Sequence, residues 1–82
     1  MKKRDAQELS DAIVSVLRAK RQEEKISQYK MAKDTGMSKS SILYIENLTQ
    51  RPALYTVLML ADYLNVNLPG IISDIILNNK KY

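Results

Sequence analysis

The side chains best suited to hydrogen-bond a polar ligand lie in the middle of the chain. Ser40 and Tyr44 are four residues apart, which places their side chains on one face of an α-helix, and Lys39 directly precedes Ser40. An ammonium group, a hydroxyl and a phenol on such a face can bond to the edges of nucleic-acid bases or to phosphates. This spacing therefore favours recognition of a hydrogen-bonding or anionic surface.

Catalytic chemistry has little support in the same sequence. The 82 residues include no cysteine and no histidine. Disulfides, thiolate metal sites and thiol nucleophiles are thereby excluded, and the commonest general base is missing. The acidic pair Glu23 and Glu24 is expected to be solvated charge at a helix end. We expect no enzymatic activity, no metal and no cofactor.

Length and charge bound the class of protein. A chain of 82 residues with 45% hydrophobic side chains supports one core, and we expect a single domain over residues 1–82. The net charge is +4, and residues 1–25, 26–52 and 53–82 contribute +2, +2 and zero. The basic excess in the first two-thirds is compatible with a nucleic-acid partner. No apolar run approaches the roughly 20 residues that cross a bilayer, and acids interrupt the N-terminus where a signal peptide is apolar. We expect a cytoplasmic protein with no membrane association.

The apolar periodicity predicts an all-α fold. Residues such as Leu9, Ile13 and Val16 recur at three- and four-residue steps, as on an amphipathic helix. The predicted helices span about 6–22, 28–35, 39–47, 53–64 and 68–78. The predicted helix-end signals are Ser27, Ser38 and Asn67 as N-caps, and Gly36 and Asn65 as left-handed ends. We expect five short helices with short connections.

The second and third predicted helices form a recognisable pair, from Gln28 to Ile45. Ala32 is small enough for a close helix–helix approach, and Gly36 permits a tight turn. Ile42 and Ile45 are expected to anchor the third helix to the core. The remaining side of that helix is then exposed and presents Lys39, Ser40, Leu43 and Tyr44. A helix mounted in this way fits the major groove of DNA.

Gln28, Ala32, Gly36, Ile42 and Ile45 resemble the helix-turn-helix signature of the phage repressor/Cro family, also called the Xre-like regulators. The flanking segments LRAKRQEEKISQ and RPALYTVLMLADYLNVNLPGII are similar to that family's first helix and to its fourth and fifth helices. The resemblance covers about residues 13–76. It implies a compact five-helix, lambda-repressor-like DNA-binding domain whose helix-turn-helix is formed by helices 2 and 3, at about residues 28–47. It also implies a transcriptional regulator whose partner is double-stranded DNA.

The resemblance assigns roles to matching residues. It implies base contacts for Lys39, Ser40 and Tyr44. It implies phosphate contacts for Gln28, Ser38 and Arg51, with Tyr29 and Lys30 as further phosphate candidates. It implies structural roles for Ala32, Gly36, Ile42 and Ile45, and for an ion pair between Arg21 and Glu46 that ties the first helix to the end of the third.

Two positions depart from the family pattern. Lys25 stands where the family has a glycine ending the first helix, so we expect a turn of different shape there. Leu48 replaces the glycine after the third helix, and we expect Asn47 to adopt the left-handed conformation instead.

The last predicted helix carries an unusually wide apolar surface. Ile71 to Leu77 includes four isoleucines and a leucine. One interpretation buries the whole cluster within the monomer. The other, which we favour, makes Ile72, Ile75, Ile76 and Leu77 a two-fold dimer interface. A homodimer would present two recognition helices to half-sites roughly 34 Å apart in a pseudo-palindromic operator, where it would act as a repressor.

A protein-interaction module is the alternative function. Some relatives of the family act as antitoxins or antirepressors through a partner protein. The apolar last helix supports this alternative, and so does the modest charge of the recognition helix, in which Lys39 is the only strong base.

Overall fold

In a computed structural model the chain forms five α-helices, and the structure describes residues 1–79. The helices are α1 (Lys3–Glu23), α2 (Gln28–Thr35), α3 (Lys39–Glu46), α4 (Leu54–Tyr63) and α5 (Leu68–Asn79). No strand occurs among the described residues. The predicted all-α, five-helix architecture is confirmed. The predicted domain range includes residues 80–82, which lie outside the described part of the chain.

The predicted helix bounds differ from the observed ones mainly at α1. This helix begins at Lys3 rather than near residue 6. The Asp5 carboxylate accepts the backbone N–H of Lys2 at 3.4 Å, and an acid in the first turn also complements the helix dipole. α3 ends at Glu46 rather than at Asn47.

The predicted end signals of the short helices are confirmed. Ser27 and Ser38 each accept the backbone N–H of the residue three positions further on, at 3.0 and 3.1 Å. Asn67 accepts a backbone N–H in the same way at 3.4 Å. Gly36 and Asn65 adopt left-handed conformations, with φ of 75° and 56°. These local interactions set the lengths of α2 and α3.

Both expectations about the departures from the family pattern are wrong. Lys25 adopts φ 57°, so a lysine takes the left-handed conformation that a glycine would supply. Asn47 has φ −89°, whereas Leu48 has φ 65°. The physical reason is the backbone bonding of each helix end. Ile26 N–H donates to the Arg21 carbonyl at 3.1 Å. The left-handed conformation of Lys25 turns the chain so that this bond can form at the end of α1.

The core draws on all five helices. Its buried members are Leu17, Met31, Ala32, Ile42, Leu60, Ala61, Leu64 and Leu68. Met31 of α2 and Ile42 of α3 are the largest fully buried side chains. The helix-turn-helix is therefore built into the core and held rigidly by it.

Candidate nucleic-acid interface

The turn between α2 and α3 fixes the orientation of α3. Ala32 is buried, and its carbonyl accepts the N–H of Met37 at 3.1 Å across the left-handed Gly36. On α3, Ile42 and Ile45 are 1% and 4% exposed. One side of α3 is thus held against the core, which leaves the opposite side available to a ligand.

That opposite side carries four exposed residues, Lys39, Ser40, Leu43 and Tyr44, and the exposed C-cap Asn47 follows them. Leu43 is 44% exposed and Tyr44 is 49% exposed, although both are largely apolar. Lys39 forms no ion pair with any residue in the described range 1–79. The structure therefore brings the three residues predicted to contact bases onto one accessible helix surface.

A buried ion pair locks the end of α3 to α1. Arg21 donates from Nε to Glu46 Oε2 at 2.7 Å and from Nη2 to Glu46 Oε1 at 2.8 Å. The third Arg21 nitrogen, Nη1, donates to the Ile26 carbonyl at 2.6 Å. Arg18 adds a longer contact, 3.9 Å from its Nε to Glu46 Oε1. A bidentate pair of this kind fixes direction as well as distance.

Gln28 at the start of α2 is oriented by the same carboxylate. Its Nε2 donates to Glu46 Oε1 at 3.0 Å, and the side chain is half-buried. Within residues 1–79, no hydrogen bond engages the second amide hydrogen or the amide oxygen of Gln28. The first N–H groups of a helix lack intrahelical acceptors, and in α2 the Ser27 hydroxyl accepts the N–H of Lys30. Glu46 therefore links α1, α2 and α3.

The other three residues expected to contact phosphate near α2 and α3 differ in whether their polar groups already have a partner within the protein. Tyr29 is exposed. Lys30 is paired, with its Nζ 3.0 Å from Asp34 Oδ2. The Ser38 hydroxyl is also engaged, because it caps α3 and donates its proton to Ser41 Oγ at 2.8 Å. A phosphate would have to compete for the Lys30 and Ser38 groups.

Asp34 is the centre of a small polar cluster that joins α2 to α4. The Tyr63 hydroxyl donates to Asp34 Oδ2 at 2.6 Å. Hydrogen bonds from Tyr63 and from Lys30 hold the pKa of Asp34 below its ordinary value. The same bonds raise the pKa of Tyr63 and of Lys30 above their ordinary values. Sequence reasoning missed this cluster because Asp34 and Tyr63 are 29 residues apart.

Arg51, in the loop between α3 and α4, is tied to α1. Its Nη2 lies 3.0 Å from Asp11 Oδ2, although the two residues are 40 positions apart. The Arg51 side chain remains 46% exposed. The other oxygen of Asp11, Oδ1, is buried without a hydrogen-bond partner among the described residues. The loop that carries Arg51 is therefore anchored, while part of the guanidinium still faces solvent.

The apolar surface predicted on α5 extends onto α4. Ile72, Ile75 and Ile76 are half-buried, and Leu77 is exposed. On α4, Leu54 is 71% exposed and Leu58 is 52% exposed, whereas the apolar pattern of the sequence indicated only the α5 part of this surface. A groove of about 280 Å³ connects the two parts. It is lined by Met1, Ala6, Leu9, Ser10, Ile13, Pro52, Leu54, Val57, Leu68 and Ile72.

The described part of the chain offers no cluster of metal ligands and no membrane-spanning helix. It contains no group of three or more acidic, histidine or cysteine side chains that could hold a metal ion. None of its helices is both long and apolar enough to cross a membrane.

Comparison with known proteins agrees with the geometry of α2 and α3. A family model described as helix-turn-helix matches residues 17–71, which is more than half of the chain. No curated protein and no solved structure matches the chain. The matched range begins within α1, includes all of α2, α3 and α4, and ends in α5. The chain therefore belongs to the Cro/C1-type (Xre-like) helix-turn-helix family of DNA-binding transcriptional regulators.

Proposed function

We propose that this protein is a homodimeric repressor that binds a pseudo-palindromic operator and reads it with α3 in the major groove. The observation that carries the proposal is the exposed, unpaired side of α3 opposite the buried Ile42 and Ile45. The width of an α-helix matches that of the major groove, and the lysine, serine and tyrosine on this side of α3 can bond to base edges.

Lys39, Ser40 and Tyr44 supply the sequence-reading contacts in this proposal. Lys39 has no competing carboxylate among the described residues, so no internal ion pair has to break before it binds guanine O6 and N7. Tyr44 is half-exposed, and its phenol receives no hydrogen bond from the described part of the chain.

Phosphate contacts supply most of the affinity and set the register of α3 on the duplex. Gln28 is the best-positioned of these residues, because Glu46 orients its amide at the N-terminus of α2, the end of a helix that favours anions. Arg51 approaches the backbone from the α3–α4 loop while its other side stays paired with Asp11. Tyr29, Lys30 and Ser38 complete the proposed phosphate set.

The homodimer forms through the apolar surface of α5 together with its extension onto α4. The interface that we propose contains Ile72, Ile75, Ile76 and Leu77, together with Leu54, which lines the same groove as Ile72, and Leu58, which lies one turn further along α4. Exposed leucines at 52–71% are costly in an isolated small domain and are relieved by burial against a second copy. A two-fold arrangement would also place two α3 helices on one face of DNA.

Selection of bound duplexes from a random DNA pool at about 0.15 M salt tests this function. Enrichment of an inverted repeat, with half-sites about one helical turn apart, is the expected result. Recovery of no common sequence, or binding that disappears with added salt whatever the sequence, would contradict it.

A protein-interaction module remains the second candidate function, favoured by the exposed Leu54, Tyr55 and Leu58 on α4. The two candidates differ in what this surface binds. Sedimentation velocity of wild type and of Leu58→Asp distinguishes them, because Leu58 is exposed and its replacement leaves the core intact. A wild-type dimer that becomes a monomer in the variant supports the homodimer. A wild-type monomer that forms a complex only with a different protein supports the module.

A further inference from the structure

Leu43 occupies the middle of the exposed surface of α3, and the family resemblance implies no role for it. It lies four residues after Lys39, three after Ser40 and four before Asn47, so all three are its neighbours on the helix surface. All of them are exposed. A large apolar side chain thus stands at the centre of the helix surface that faces DNA in the proposed function.

Folding does not require a leucine at this position. Leu43 is 44% exposed, whereas Ile42 beside it is 1% exposed and belongs to the core. The apolar area of Leu43 that faces solvent is buried only when a ligand covers α3. Leu43 therefore contributes hydrophobic free energy mainly to ligand binding and little to folding.

The chemistry of leucine selects one partner among the base edges of the major groove. Adenine, guanine and cytosine present polar donors and acceptors there, and thymine alone adds a methyl group at C5. A leucine pressed against a polar edge removes water without replacing its hydrogen bonds, which is unfavourable. Against the thymine methyl, the same side chain buries apolar surface on both partners.

We infer that Leu43 is a specificity-determining residue that selects thymine by packing against its C5 methyl group. This inference rests on the proposed function, because it needs α3 in the major groove. It assigns one thymine to each half-site of the operator, next to the base pairs read by Lys39 and Ser40.

The test replaces single thymines of the selected operator with deoxyuridine, which removes the methyl group and leaves every hydrogen-bonding atom in place. Dissociation constants are measured for wild type, Leu43→Ala and the matched control Leu48→Ala. Leu48 is a leucine of similar exposure, 41%, but it lies beyond the end of α3. Circular dichroism verifies that each variant is folded.

The expected result is one position per half-site at which uracil weakens wild-type binding about fourfold, as for loss of one buried methyl group. Leu43→Ala binds the thymine and uracil duplexes equally at that position, whereas Leu48→Ala retains the wild-type ratio. Two results overturn this inference and leave the proposed function standing. One is sequence-selective binding that no uracil substitution weakens, and the other is a uracil-to-thymine ratio of dissociation constants that is the same in Leu43→Ala as in wild type. Absence of any sequence-selective binding overturns the proposed function and this inference together.

Discussion

Arg21 and Glu46 form a bidentate ion pair, with nitrogen–oxygen distances of 2.7 and 2.8 Å, that joins α1 to the last residue of α3. Both residues are buried, and Gln28 shares the Glu46 carboxylate at 3.0 Å. The orientation of the DNA-facing helix thus depends on one carboxylate that is bonded to two other helices.

Removing that carboxylate should destabilise the fold strongly. Glu46→Ala leaves the Arg21 guanidinium buried without its counter-charge, and we expect a loss of about 3 kcal/mol in the free energy of unfolding. Urea denaturation followed by circular dichroism measures it. Glu24→Ala is the matched control, because Glu24 is paired with Lys20 on the surface. Equal midpoints for the two variants would show that the Arg21–Glu46 pair does not hold α3.

The left-handed Lys25 predicts a stabilising substitution. Lys25 is exposed at φ 57°, a conformation that costs a non-glycine residue about 1 kcal/mol. We therefore expect Lys25→Gly to raise the free energy of unfolding by about that amount. Lys33→Gly, in the interior of α2, should lower it by about 1 kcal/mol. Destabilisation by both glycines in urea would show that Lys25 is not strained.

The Asp34 cluster predicts a pH dependence at acid pH. Hydrogen bonds from Tyr63 and Lys30 lower the pKa of Asp34 in the folded state. Their contribution is therefore present above the unfolded-state value of about 4 and is lost as pH falls through the lowered folded-state pKa. We expect the difference in Tm between wild type and Asp34→Asn to shrink from about pH 6 to about pH 2.5. A difference that stays constant over this range would contradict the cluster.

The same cluster should also weaken at alkaline pH. The raised pKa of Tyr63 means that its contribution is complete below its unfolded-state value of about 10 and is lost as pH rises through the raised one. Tyr63→Phe removes the hydroxyl, so its Tm should approach that of wild type only above that range. If the difference in Tm between wild type and Tyr63→Phe stays unchanged at high pH, the Tyr63–Asp34 hydrogen bond is not its source.

Lys39 should contribute to selectivity rather than to general affinity. If it binds a base edge, Lys39→Ala costs about 1–3 kcal/mol on the selected operator and relaxes the preference at one base pair. Fluorescence anisotropy on operators that vary at single positions measures both effects. A uniform loss across all sequences would reassign Lys39 to a phosphate.

Arg51 should contribute to general affinity rather than to selectivity. Its guanidinium is half-exposed beside Asp11, and a phosphate contact makes no distinction among bases. Arg51→Ala should weaken binding to every duplex and lower the slope of log K against log salt by about one per half-site. Lys20→Ala removes the same charge on α1, where Lys20 pairs with Glu24, and should leave the slope unchanged. Equal slopes for Arg51→Ala and wild type would place Arg51 outside the interface.

The elements of the fold were predictable wherever the signal was local. Ser27, Ser38 and Gly36 are capping residues whose chemistry acts within a few positions, and the structure uses each as predicted. The conformations of Lys25 and Leu48 were not predictable, because propensity disfavours a positive φ there and the backbone bonds of the helix ends override it.

Contacts between distant segments could not be predicted from the sequence either. The exception is the Arg21–Glu46 pair, which the family resemblance implied. Arg51 was expected only to face DNA, and its partner Asp11 lies on another helix. Leu54 and Leu58 fit the apolar pattern of a buried helix face, yet both are exposed. Periodicity identifies an apolar stripe but does not say whether the same chain or a second copy covers it.

The specificity ratio of binding tests most directly whether α3 reads the operator. The ratio compares the dissociation constants for a scrambled duplex and for the selected operator at about 0.15 M salt. It is measured for wild type, for Lys39→Ala/Tyr44→Ala, and for the control Lys20→Ala, which removes a lysine from α1 instead of α3. We predict a wild-type ratio above about 1,000 that falls roughly 100-fold in the α3 variant and is retained in the control. A wild-type ratio near one, or an equal ratio in the α3 variant and wild type, would contradict sequence reading by α3.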